Sequence, residues 1–198
     1  YRHFNINGNF PPDYLTGMVL NGEPSIGYTL TCPDGRRDIY GLIVSNGASM
    51  EAAYLTERTD VLGHSTRLQY DPVDSATRVV RLRYVIDGDG RTNTVSYVTT
   101  NGYSTNLISQ VTDPFGRSAH FYYDDNGYLT NIVDVAGVSS SFSYGLDHVA
   151  SMTTPYGTTT FTITEASDPA TSVSGRSVLV AEPDGSHQLY LYKDNAPG

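Results

Sequence analysis

The chain has 198 residues and a formal net charge of -9, with eleven Arg and a single Lys, Lys193, as its cationic residues. That charge leaves no basic footprint for nucleic acid or an anionic membrane surface, and no apolar run reaches the roughly 18 residues that span a bilayer. A lone Cys32 excludes an internal disulfide framework and a cysteine-based zinc site.

Residues 1–26, with Phe10-Pro11-Pro12 and Asn21-Gly22, keep no period and read as an irregular lead-in or a degenerate repeat. From 27 to 198 one phrase recurs: apolar, two of any kind, apolar, one of any kind, Asp, two of any kind, Gly. Leu30 and Gly35 open the series, and Leu55, Asp60 and Gly63 follow, with Arg58 in the second apolar slot. The best copies lie within 82–157. They are Leu82, Val85, Asp87, Gly90; Ile108, Val111, Asp113, Gly116; and Leu129, Ile132, Asp134, Gly137. Val149, Met152 and Gly157 carry Thr154 for the Asp, and Glu182 with Gly185 closes the series.

Five and seven residues past these glycines stand large side chains: Tyr40 and Leu42, Leu68 and Tyr70, Val95 and Tyr97, Phe121 and Tyr123, Phe142 and Tyr144, Tyr190 and Tyr192. After Gly157 the pair comes one residue early, as Phe161 and Ile163. Successive glycines are 20 to 28 residues apart, a spacing that means stacked repeats. The chain opens at Tyr1 without Met and stops soon after Tyr190, Tyr192 and Asp194 begin a further copy. It is therefore expected to be a processed piece or a segment of a longer polypeptide.

Period-two alternation predicts strands, apolar on one face and wet on the other. Val80, Leu82, Tyr84 and Ile86 alternate with Arg81 and Arg83; Val138, Ser140, Phe142 and Tyr144 alternate with serines; Thr158 to Thr164 places Thr at every even position. Asn101-Gly102 and Asp125-Asn126-Gly127 supply hairpin turns at one end of the strands. The phrase-ending glycines supply them at the other, with the Asp three residues earlier accepting backbone N–H groups as an Asx-turn. Copies differ in length because the first kind of tip varies, an insertion that leaves the sheet intact.

The copy from Gly116 through Phe121, Tyr123, Asp124, Gly127, Leu129 and Asp134 to Gly137 resembles the YD repeat of Rhs proteins, toxin-complex shell subunits and teneurins. In that repeat Tyr-x-Tyr-Asp is followed by x-x-Gly-x-Leu and later by Asp-x-x-Gly. The likeness is specific over 116–137, extends over about 55–157 and loosens toward both ends. Phe121 replaces the first Tyr, no Asp follows Tyr97 or Tyr144, and the tip glycine is missing after Tyr144. The resemblance implies an all-β fold of repeated antiparallel hairpins in a strip that spirals into a hollow shell. In toxin relatives the shell encloses a C-terminal toxin; in teneurins it belongs to a cell-surface ectodomain. Some bacterial relatives end in an aspartate-dependent self-cleaving core, which no segment here matches, and no catalytic position is carried over.

Candidate site residues read as structural. Asp87-Gly88-Asp89-Gly90 resembles the start of a calcium loop, but the twelfth position is Val98 rather than Glu. Asp124 and Asp125 would form an acid/base couple only in a closed cleft; before Asn126-Gly127 they read as turn formers. His3, His64, His120, His148 and His187 never fall at metal-ligand spacing, and a hydrolase triad has no local signature. The aromatic ladder reads as inter-repeat packing or as the lining of a sugar-binding groove.

The expected function is a non-catalytic structural segment of a secreted or cell-surface β-shell, enclosing a toxin cargo or forming an extracellular structure, with no cofactor and no metal. The alternative is a carbohydrate-binding or adhesive repeat surface, with Tyr122 and Tyr128 outward, or a head-to-tail fibre subunit. Expected partners are further repeats of the same chain or a neighbouring copy, an encapsulated toxin and a glycan, but neither nucleic acid nor a membrane span. Phe121, Tyr123, Phe142 and Tyr144 are expected on a buried face, Tyr122 and Ser143 opposite them, and Gly116 and Gly137 at positive φ. The strand Gln188 to Tyr192 is expected at an open sheet edge.

Overall fold

Backbone groups of a chain without a helical period find partners only across strands. In the computed structural model the described residues are 16–45, 51–73, 77–99, 106–146, 148–168 and 173–193. Among them there is no helix, and antiparallel strands in a large sheet account for the regular structure, as the alternation predicts. The Asn101-Gly102 turn and most of the lead-in, residues 1–15, lie outside the described residues.

The chain divides into two compact units, Tyr1–Tyr97 with Val111–Arg117, and Val98–Gln110 with Ser118–Gly198. In the first, β1 (Val19–Glu23), β2 (Gly27–Thr31) and β3 (Arg37–Tyr40) pair in sequence. Next, β4 (Leu42–Ser45) and β5 (Glu51–Tyr54) leave the ladder and pair with each other. β3 then continues onto β6 (Glu57–Thr59), followed by β7 (Ser65–Tyr70), β8 (Leu82–Ile86) and β9 (Thr92–Tyr97). The sequence pattern sets Leu42 beside Tyr40 on one strand, seven and five residues past Gly35, whereas Leu42 opens this inserted hairpin and pairs with Tyr54. Thr56 closes its base: the Thr56 N–H donates to the Ile39 carbonyl at 2.8 Å, and its hydroxyl accepts the Gly41 N–H at 3.0 Å.

Strand β10 (Ile108–Thr112) leads toward the second unit, in which β11 (Ser118–Tyr123), β12 (Leu129–Val133), β13 (Ser139–Tyr144), β14 (Val149–Thr154), β15 (Gly157–Asp168), β16 (Val173–Ala181) and β17 (His187–Lys193) pair each with the next. The connections between β7 and β8, β11 and β12, and β13 and β14 share one irregularity. The register shifts at the tyrosine, so that Tyr70 pairs with Leu82, Tyr123 with Leu129 and Tyr144 with Val149. A bulge at a hairpin end increases local twist and terminates regular pairing there.

Alternation sets the faces. Thr158, Thr160, Thr162 and Thr164 are exposed, whereas Thr159 is buried and Phe161 and Ile163 are half-buried. Ser139, Ser141 and Ser143 are exposed between the half-buried Ser140, Phe142 and Tyr144, and Tyr122 is exposed between Phe121 and Tyr123. β8 departs from the expected contrast, because Leu82 to Ile86 are half-buried at every position. The Arg83 guanidinium donates to the carbonyl of Val95 on the paired strand β9 at 3.2 Å. Its aliphatic stem thus covers apolar surface while the charged end finds an acceptor.

The face carrying Phe121, Tyr123, Phe142 and Tyr144 is half-buried rather than enclosed. Val95 and Val180 are the buried apolar residues among those described, and no large side chain is fully buried. Each strand makes its main contacts with its ladder neighbours. Phe142→Ala should accordingly cost about 1–3 kcal/mol, below the ~3–5 kcal/mol of an enclosed Phe, and Tyr122→Ala should stay within about 0.5 kcal/mol. Urea unfolding of both variants measures the difference.

Candidate functional site

Each good copy of the phrase builds the same loop. At Asp134 one carboxylate oxygen accepts the N–H of Ala136 at 2.8 Å and of Val138 at 2.9 Å. The Gly137 N–H donates to the Asp134 carbonyl and the Asp134 N–H to the Val138 carbonyl, at 3.0 and 2.9 Å. Asp60, Asp87 and Asp113 repeat this pattern, and Gly63, Gly90, Gly116 and Gly137 have φ between 81° and 88°. The result is a three-residue hairpin loop closed by a left-handed residue. A Cβ added at Gly116 or Gly137 would meet nothing within 4 Å, so the backbone angle, not space, requires glycine there. Gly157 is a different case, since its φ is 122° and an added Cβ would lie 2.6 Å from Pro183 Cβ.

In two copies that lack the Asp, the loop survives. Cys32 and Glu182 occupy the first position, and Asp34 and Asp184, two residues later, accept the N–H of Arg36 and of Ser186. The residue after the glycine also folds back onto the acid. Arg91 reaches Asp87 at 2.8 Å, Arg117 reaches Asp113 at 2.7 Å, and His64 Nδ1 lies 3.0 Å from Asp60. The side-chain bond from His64 holds Asp60 below the usual carboxylate range, and the Arg91 N–H does the same for Asp87. At Asp113 burial pushes upward, yet the Arg117 N–H and guanidinium outweigh it and the net direction is down.

The strand tyrosines close the opposite end of each hairpin. Tyr70 donates its hydroxyl to the Leu55 carbonyl at 2.6 Å, Tyr97 to Leu82 at 2.9 Å, Tyr123 to Ile108 at 2.8 Å and Tyr144 to Leu129 at 2.8 Å. Each donor lies 15 residues after its acceptor, which is the first apolar residue of that tyrosine's own phrase. The residue just before that acceptor covers the ring in three copies. Tyr54 meets Tyr70 edge-on at 5.9 Å, the Arg81 guanidinium lies 5.6 Å from the Tyr97 centroid, and Tyr128 stacks on Tyr144 at 4.8 Å. Burial raises the phenol pKa of Tyr70, Tyr97 and Tyr123, which keeps the donating proton in place.

The remaining candidates fall within this framework. Asp87-Gly88-Asp89-Gly90 is one of the Asp loops, with Arg91 bridging both carboxylates at 2.8 Å. Asp124 accepts the N–H of Asn126 and Tyr128 as a turn former, and Asp125 is exposed beside it. His3 lies outside the described residues, while His120 is on β11, His187 on β17 and His148 beside Gly145. Among the described residues no group of three or more His, Cys, Asp or Glu is placed to hold a metal ion. No protein-family model matches the chain, and no curated protein matches it.

Sequence reasoning found the tyrosines as packing residues but missed their hydroxyl acceptors. The constant spacing from phrase to tyrosine was the available signal. It also passed over the basic residue after the glycine, visible as Gly35-Arg36, Gly90-Arg91 and Gly116-Arg117.

Two outcomes are expected. Tyr97→Phe should destabilise by about 0.5–1.5 kcal/mol, the usual net value of one hydrogen bond, whereas Tyr122→Phe should be neutral in the same urea titration. Lowered carboxyl pKa values make the Asp loops stabilising above the unfolded value of about 3.9, a contribution lost as pH falls through the folded values. The melting temperature should therefore drop below about pH 4, and less steeply when Asp60, Asp87 and Asp113 are all replaced by Asn.

Proposed function

We propose that the chain is a non-catalytic structural segment of a secreted or cell-surface YD-repeat scaffold, whose hairpin strip spirals into a shell around a toxin cargo or builds an extracellular structure. The observation that carries this reading is the tyrosine lock, repeated at 15 residues in four hairpins. It supports a modular architecture in which four copies repeat one closure at the tyrosine end of the hairpin. The aspartates that recur most often have their carboxylates occupied by backbone N–H groups. Electron microscopy of the polypeptide that carries this chain is the test. A hollow particle walled by the hairpin strip is expected; a solid particle with the hairpins packed on a second layer overturns the proposal.

A second reading rests on Tyr122. It is 51% exposed and begins a cross-strand row through Asn131, Ser141, Thr153 and Thr158, an aromatic ring beside amide and hydroxyl groups. Such a row suits the stacking and hydrogen bonding of a sugar. Glycan-array binding that disappears in Tyr122→Ala would favour this adhesive role, and an array without signal would remove it.

A further inference from the structure

One face of the second unit is free of charge. The chain has 21 Asp and Glu and 12 Lys and Arg, yet none of them stands in β11 to β14, or in β15 as far as Thr164. Strands of the first unit carry Asp38, Arg58, Arg67 and Arg83 among others. In the second unit the face opposite Phe121, Ile132, Phe142 and Phe161 is instead set with polar side chains in two cross-strand rows. Tyr122, Asn131, Ser141, Thr153 and Thr158 form the first, one residue from each strand in turn; Ser143, Ser151 and Thr160 form the second.

Hydrogen bonds within this face set what it offers a ligand. The Ser139 hydroxyl donates to Asn131 Oδ1 at 2.9 Å, which leaves the Asn131 NH2 group as the donor to an outside partner. Thr153 and Thr158 share one hydroxyl proton at 2.8 Å, and Ser143 and Ser151 share one at 2.6 Å. Each pair keeps a second proton and further lone pairs for a ligand. Ser141, Thr153 and Thr158 are exposed, as is Tyr122 at the end of the row. A second protein layer laid here, from this polypeptide or another, would bury these groups beyond what they satisfy for each other, and that costs stability. A sugar, whose hydroxyls both donate and accept, supplies the missing partners.

We propose that the first row binds one neutral, linear polysaccharide, laid across the strands from β11 to β15 with a sugar ring stacked on Tyr122. The proposal rests on the adhesive reading and names the glycan class that reading leaves open. Neutrality follows from the charges: the row has no Arg or Lys to receive a carboxylate or sulfate, and a net charge of -9 repels a polyanion. Length follows from the shape of the site. Side chains standing on a sheet face cover little of any one sugar, so affinity comes from several units bound along the row. Five strands at the usual spacing make a row about 19 Å long, which several rings of an extended glycan fill. Strand twist turns the row by about 20° at each step. A single flexible glycan can follow that turn, whereas the planar face of a crystalline polymer cannot.

Amide NMR titration of the intact 198-residue protein provides the test. The probes are two-unit and six-unit oligomers of β-1,4-glucan, β-1,3-glucan, α-1,4-glucan and β-1,4-mannan, with a six-unit galacturonate as the anionic control. At least one neutral hexamer should shift resonances of β11 to β15, the Asn131 side-chain NH2 included, and bind at least tenfold more tightly than its dimer. The galacturonate should shift none of them. Tyr122→Ala should weaken hexamer binding at least fivefold, and Thr153→Val with Thr158→Val at least threefold, while the amide spectrum of β16 stays in place to show an intact sheet. Tyr156→Ala, in a loop away from the row, should leave binding unchanged. Silence with all four hexamers, equal affinity for dimer and hexamer, or binding of the galacturonate overturns the proposal. Tyr122-dependent binding of an anionic or a short glycan on an array leaves the adhesive reading standing without it, whereas a silent array removes both, so the two fail separately.

Discussion

A phenol donating to a backbone carbonyl 15 residues earlier holds both strands of a hairpin at the end away from its loop. A two-stranded hairpin closed only at its loop frays at the other end, because nothing there repays the entropy of ordering the last residues. The lock supplies a hydrogen bond at that end, and the ring it anchors is covered by Tyr54, Arg81 or Tyr128 from the residue before the acceptor. The shifted pairing of the same tyrosine with the following phrase strand then joins one hairpin to the next. Three neighbouring strands thus meet at one side chain, which explains how strands with few buried residues keep a defined register.

The loop end follows a complementary economy. A carboxylate there serves as a fixed acceptor for two backbone donors, and a guanidinium or imidazole four residues on folds back onto it in three loops. The group that looks most reactive in sequence, Asp87-Gly88-Asp89-Gly90, is the loop most fully committed to its own geometry, with Arg91 across both acids. An acid bound in this way has a lowered pKa and remains ionised, the opposite of what a proton donor near neutral pH requires.

Much of this was legible in the residues. Fixed offsets from the phrase glycines located the loops, their positive φ and the tyrosines, because a turn of given type tolerates few residues at few positions. Exposed Tyr122 and Ser143 between half-buried neighbours followed from period two alone. Depth did not follow: an apolar face in sequence looks the same whether a second layer covers it or none does, and Phe142 proved half-buried. The Leu42–Tyr54 hairpin escaped notice because Leu42 stands seven residues past Gly35, the offset that the lock tyrosines hold in other copies. Nor could pattern alone show that Arg83 is half-buried, since an arginine stem behaves as an apolar residue when its head finds a carbonyl.

The variable tips share one feature at their base. The N–H of the residue after the lock tyrosine donates to the carbonyl just before the next phrase: Asp71 to Arg81, Val98 to Leu107, Asp124 to Tyr128 and Gly145 to His148. One bond therefore defines the boundary of a module whatever length of chain lies within it. Each module is completed by partners near in sequence, and low contact order favours rapid local ordering. A chain delivered from one end, as from a ribosome, can finish its hairpins one after another. No copy has to wait for residues that have not yet arrived.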